Sequence, residues 1–171
     1  MSEQPYRIEL LTNHHDRQNF HSGSEPLDRY LHRQVKRDVR RHLTACFVAV
    51  DNRSEAIAGY YTLSATSMTL AEIPEDQAKR LPSYPHVPAA LLGRLAISKD
   101  HNGKGLGGAL LLDALQRSLH VDMAVYAMLV EVKDSAAQTF YEHHGFIVLP
   151  SESQHRRLML PMATARKLLL R

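Results

Sequence analysis

Apolar positions along the chain fall into short runs whose spacing changes from two to between three and four. YRIELL (6–11) reads as an opening strand. A polar stretch follows. EPLDRYLHRQVKRDVRR (25–41) then places Leu27, Tyr30, Leu31, Val35 and Val39 on one side at helical spacing. Ser24 stands where a cap belongs, and Pro26 suits a first turn. TACFVAVD (44–51) and AIAGYYTLSATSMTL (56–70) read as two strands of a hairpin joined by the polar turn NRSE. A proline-bearing connection (73–88) has room for one helical turn after Pro74. Beyond it lie a strand (89–98), a helix (105–119), a buried strand (124–132) and a helix (134–146). That last helix has Asp134 or Ser135 as its cap and Gly145 as its stop signal. Strands near IVLP and RRLMLPM and a helical tail, TARKLLLR, complete the pattern. The order predicts a mixed α/β layer, not a regularly alternating βαβ chain.

The chain has 171 residues, 44% of them apolar, which fits one well-packed domain. No run approaches the roughly 20 apolar residues that span a bilayer. The beginning, MSEQPYRIEL, lacks a charged leader followed by an apolar block. The single cysteine, Cys46, lies in an apolar run and reads as a core residue. No metal-ligand spacing is found among the eleven histidines. These features fit a cytoplasmic protein without a membrane partner or a metal.

Net charge is only +3, but it is distributed unevenly. Residues 29–41 hold Arg29, Arg33, Lys36, Arg37, Arg40 and Arg41 against Asp38 alone. Arg29, Arg33, Arg37 and Arg41 are spaced by four, so they form a stripe opposite the apolar side. Such a stripe can neutralise phosphates and bind RNA, dock an acidic partner segment, or be simply solvated.

The chemistry concentrates in RLAISKDHNGKGLGGALLLDAL (94–115), where Gly103, Gly105, Gly107 and Gly108 fall within six residues. Glycine costs chain entropy and weakens a helix, so a close approach by a ligand is the expected reason for it. A helix start offers unpaired N–H groups and a positive dipole end to an anion. The segment is not a P-loop, because GxxxxGK[ST] is absent. GKGLGG satisfies GxGxxG literally, but SKDHN separates it from its strand and it lies late in the chain, unlike a dinucleotide fingerprint.

The same segment resembles motif A of the GNAT superfamily of N-acetyltransferases, [RQ]xxGx[GA], with Asn102-Gly103-Lys104-Gly105-Leu106-Gly107 in the loop and Asn102 where the family has Arg or Gln. AAQTFYEHHGF resembles motif B. The resemblance implies the GNAT fold, a central, mostly antiparallel mixed sheet flanked by helices, with splayed central strands. It implies acetyl-CoA as co-substrate, with Leu95, Ala96 and Ile97 pairing with its pantetheine arm. Asn102, Gly103, Lys104, Gly105, Leu106, Gly107 and Gly108 would cradle the diphosphate, and Ser135 would touch the cofactor or serve only as a cap. Tyr141 matches the tyrosine that protonates the departing sulfur. Glu131 reads as either a general base or a structural carboxylate, and Arg94 as either a substrate contact or a strand-edge charge.

Across nearly its whole length the chain is similar to the TacT-like acetylating toxins of toxin–antitoxin modules. That similarity implies transfer to the α-amine of aminoacyl-tRNA, a ribbon–helix–helix antitoxin as partner, a homodimer, and the basic stripe as the tRNA contact. A GNAT enzyme acting on a small amine or a protein, and a non-catalytic acyl-CoA-binding domain, are the alternatives.

Overall fold

A computed structural model describes residues 4–150 and 155–170. Its strands are β1 (Tyr6–Leu10), β2 (Ala45–Asp51), β3 (Ile57–Met68), β4 (Val87–Ile97), β5 (Ala127–Val132), β6 (Ile147–Val148) and β7 (Arg156–Pro161). They form one sheet in the order β1-β2-β3-β4-β5-β7-β6. The described ladders are antiparallel except that of β4 with β5, which is parallel from Ala89↔Ala127 to Leu91↔Leu129. The helices are α1 (Glu25–Arg29), α2 (Val35–Arg40), α3 (Glu75–Ala78), α4 (Leu106–His120), α5 (Ser135–His143) and α6 (Met162–Leu169). Among the described residues no helix is long and apolar enough to cross a membrane. The chain divides into two compact units, one formed by residues up to 64 with 93–114, the other by 65–92 with those from 115 onward.

The first unit is built around Phe20, Tyr30, Leu31, Val35, Val48 and Tyr60, with Leu27 and Val39 packed at its margin. The apolar positions of the 25–41 segment therefore face inward as their spacing predicts. Leu31 and Val35 have no exposure, and burial on that scale contributes about 1.5–3 kcal/mol per side chain. The predicted single helix is nevertheless interrupted. Tyr30–Gln34 is a π turn between α1 and α2, with the Val35 N–H donating to Tyr30 O. Residues far back in the chain stabilise it. Arg17 donates to Leu31 O (2.9 Å) and His32 O (3.2 Å), and Gln18 donates to His32 O (2.9 Å). Leu31 O, which a regular α-helix would spend on Val35, is thus satisfied from outside. Ser24 occupies the cap position of α1, but its hydroxyl caps nothing. The other observed bounds lie within a few residues of those the pattern predicts.

The second unit has its own core of Met68, Ile73, Val87, Ala89, Ala127, Leu129, Leu149 and Met159. Its polar connection is punctuated as expected. A Thr69–Glu72 capping box opens a short 3₁₀ turn, and α3 follows Pro74. β5 starts later than the apolar run predicts, although the Tyr126 N–H still donates to Pro88 O (2.9 Å).

Candidate active site

In the first unit β4 ends at Ile97 and leads into the glycine-bearing loop. The Ser98 N–H donates to Ala58 O (2.8 Å), fixing the exit of the strand. A 3₁₀ turn, Lys99–His101, comes next, and Asn102, Gly103, Lys104 and Gly105 are exposed before α4 begins. Gly103 and Gly105 have φ of 75° and 76°, the left-handed region that other residues enter at a cost. No atom lies within 4 Å of where a Cβ would stand on either. Backbone conformation, not crowding within the chain, thus accounts for these two glycines. Gly107 and Gly108 belong to the first turn of α4, where bare backbone leaves the N–H groups approachable. Leu106, Leu110, Leu111 and Ala114 are buried and seat the helix. Exposed amides at the start of a 15-residue helix, with open space around the preceding loop, fit a diphosphate-bearing ligand.

The loop is anchored by a contact that local sequence did not predict. Tyr6 Oη lies 2.7 Å from His101 Nδ1, and the two rings meet edge to face at 5.4 Å. On the other side of the imidazole, Nε2 is 3.8 Å from Asp51 Oδ2. Tyr6 and Asp51 are cross-strand partners in β1 and β2, so they clamp His101 from adjacent positions. The Arg53 N–H holds the Asp51 carboxyl below the usual carboxylate range. The three residues lie 45 and 50 positions apart along the chain, and only the sheet register brings them together.

Arg94, left open by sequence, places its guanidinium 3.4 Å from the centre of the Tyr30 ring. Tyr30 is buried and donates to Asp38 (2.9 Å), and burial followed by that hydrogen bond pushes its phenol up. Cys46 is buried as expected, and burial pushes its thiol up to about 12, which keeps it protonated and inert. The basic positions Arg33, Lys36, Arg37, Arg40 and Arg41 are exposed. Arg29 is exposed too, but is paired with Glu25.

In the second unit, α5 is capped by Asp134, whose carboxylate accepts from the Ala137 N–H (2.8 Å). This resolves the choice of cap, since Ser135 is the first helical residue and is exposed. The helix ends before Gly145, whose φ is 94°. Of the adjacent aromatics, Tyr141 is the buried one, at 8% exposure, and contacts the Phe140 and Phe146 rings edge to face. Burial pushes its phenol pKa up, so the hydroxyl stays protonated well above neutral pH. Glu131 stands opposite Arg157 in the β5–β7 ladder, with Arg157 Nε 3.5 Å from its carboxylate. That pairing supports the structural reading of Glu131 over that of a free base.

Comparison with known proteins bears on the same residues. Residues 42–148 match the model of the acetyltransferase (GNAT) domain family. A tRNA-acetylating toxin of Mycobacterium tuberculosis (strain ATCC 25618 / H37Rv) is 33% identical over 88% of this chain and 89% of that protein. The solved structure of AtaT complexed with acetyl-methionyl-tRNAfMet superposes with a TM-score of 0.84 at 30% identity, covering 96% of this chain and 99% of that one. A mutant AtaT toxin bound to the C-terminus of the antitoxin AtaR and acetyl-CoA gives 0.79 at 27% identity, over 98% of this chain and 100% of that one. The match takes in the strand, the glycine loop, α4 and the Tyr141 helix together, and the chain belongs to the GNAT acetyltransferase family.

Proposed function

We propose that the protein is an acetyl-CoA-dependent N-acetyltransferase that modifies the α-amine of aminoacyl-tRNA and thereby stops translation. The observation that carries this reading is the exposed loop of residues 102–105, whose left-handed Gly103 and Gly105 lead into the N–H groups at the start of α4. Its choice of acceptor is supported by the relatives named for tRNA acetylation. In the reaction the neutral α-amine attacks the thioester carbonyl. Backbone N–H groups among Leu95, Ala96 and Ile97 stabilise the oxyanion that develops. The carbon–sulfur bond breaks, Tyr141 gives its proton to the departing thiolate, and the proton that the nitrogen loses as the amide forms returns through water to the Tyr141 oxygen. An α-amine has a pKa near 7.7–8.0, lowered further by esterification of the adjacent carboxyl, so roughly a tenth or more is already neutral at pH 7 and no dedicated base is required. This agrees with the engagement of Glu131 by Arg157.

Gly103, Lys104, Gly105, Leu106, Gly107 and Gly108, with Asn102, hold the diphosphate, and Ser135 touches the cofactor. Arg29, Arg33, Lys36, Arg37, Arg40 and Arg41 contact the tRNA backbone. A ribbon–helix–helix antitoxin neutralises the enzyme, which works as a homodimer in the cytoplasm. The test is cell-free translation with the purified chain, with and without acetyl-CoA, alongside Tyr141→Phe. Arrest that requires acetyl-CoA and is strongly weakened in the variant is expected. Unimpaired translation despite verified acetyl-CoA binding would overturn the toxin reading.

A further inference from the structure

An open cleft of about 810 Å³ lies within the first unit, lined by His21, Gly23, Glu25, Asp28, Arg29, His32, Arg33 and Lys99. This is within the range of roughly 300–1,000 Å³ usual for small-ligand sites. Its two carboxylates are already committed. Glu25 pairs with Arg29, and Asp28 accepts from the N–H and hydroxyl of Ser22 (2.9 and 2.6 Å). Arg33 and Lys99 are left as cations without a carboxylate partner among the described residues. The Lys99 side chain is aimed along the wall. Its Cε lies 2.9 Å from where a Cβ on Gly23 would stand, so a side chain there would displace the end of the lysine. His32 Nε2 donates to Phe20 O (2.8 Å), and the ring meets the His21 ring edge to face at 5.7 Å, adding aromatic surface. The cleft is also tied to the glycine loop. The Lys99 N–H donates to His21 O (2.9 Å), and Lys99 opens the turn that leads into Asn102–Gly108.

We propose that this cleft is a nucleotide subsite in which Lys99 and Arg33 bind a phosphate ester and the His21–His32 pair offers aromatic surface to the attached base. Uncommitted cations beside aromatic rings are the combination that captures single-stranded nucleotides. The subsite rests on the acetyl-transfer reading and adds Lys99, His21 and His32 to the residues that meet substrate. The phosphate ester belongs to the acceptor RNA near its aminoacylated end. The 3′-phosphate of acetyl-CoA has the same chemistry, and the experiment separates the two.

The full chain and its Lys99→Gln, Lys99→Arg and Gly23→Ala variants are titrated with deacylated tRNA across a salt series. They are titrated in parallel with acetyl-CoA and 3′-dephospho-acetyl-CoA. Thermal midpoints establish folding, and Arg53→Gln, outside the cleft, controls for bulk charge. For Lys99→Gln we expect tRNA binding weakened about five- to tenfold and the log–log salt slope reduced by about 0.7, the value for one contact to a single strand. Lys99→Arg restores both, Gly23→Ala reproduces the loss, and Arg53→Gln does not. Weaker binding of acetyl-CoA but not of its dephospho form would keep the phosphate site and assign it to the cofactor. Unchanged binding of tRNA and acetyl-CoA by folded Lys99→Gln would overturn the proposal. A wild-type chain that binds acetyl-CoA but no tRNA would instead overturn the tRNA reading, with the acetyl-CoA arms still deciding whether the cleft binds phosphate.

Discussion

The glycine loop and the tyrosine helix carry the two halves of the proposed chemistry in opposite ways. The loop is exposed, holds two left-handed glycines, and in the proposed reaction acts through its backbone. Tyr141 is buried and flanked by the Phe140 and Phe146 rings, and in the proposed reaction it acts through one hydroxyl. A backbone device is sensitive to φ and to whatever anchors its ends, and it tolerates changes of side chain that preserve both. A buried hydroxyl is sensitive to the loss of a single atom. On that contrast, Asn102 in place of the family's Arg or Gln is expected to leave the amides of the loop in place.

Removing the hydroxyl is predicted to have the largest effect. Tyr141→Phe keeps the ring packing and should lower kcat by about 10²–10⁴-fold, the range for general acid catalysis, with little change in thermal midpoint. Its pH profile sharpens the point. Because burial raises the phenol pKa, Tyr141 remains protonated past the ordinary tyrosine value near 10. The acetyl-transfer rate between pH 7 and 9.5 should therefore show no alkaline decline. A decline near pH 9 that disappears in Tyr141→Phe would contradict the raised pKa of its phenol.

The loop should respond next. Gly105→Ala places a side chain in the left-handed region at about 1–2 kcal/mol, so the KM for acetyl-CoA should rise roughly five- to thirtyfold while kcat changes less. Lys104→Ala, which leaves φ free, should have a much smaller effect on KM. Weakening the anchor should cost less again. His101→Ala loses the Tyr6 hydrogen bond, about 1 kcal/mol, for roughly a fivefold rise in the KM for acetyl-CoA. His101→Gln, with an amide able to meet Tyr6, should recover part of it. Equal KM values for Gly105→Ala and Lys104→Ala would break the contrast between backbone and side chain.

Local sequence made most of this legible. The apolar spacing of Leu27, Tyr30, Leu31, Val35 and Val39 located the buried side of the basic segment. The glycines located the loop, and the Asp134-Ser135 pair located the start of α5, with the choice of cap left to the structure. Features that depend on distant partners were not legible. The π turn exists because Arg17 and Gln18 take carbonyls from a helix more than ten residues away. The His101 clamp needs the register of β1 on β2, and Arg94 reads as an ambiguous charge until Tyr30 is placed beneath it. The cleft joins a loop before α1 to a turn after β4, a separation of some 70 residues that no periodicity reports.

The most direct test of the central claim is mass spectrometry of aminoacyl-tRNAs incubated with the purified chain and acetyl-CoA. An acetyl group on the α-nitrogen of the aminoacyl moiety, absent without acetyl-CoA and strongly reduced with Tyr141→Phe, is the predicted result. Unmodified aminoacyl-tRNAs, from a preparation that binds acetyl-CoA and acetylates another amine, would contradict it.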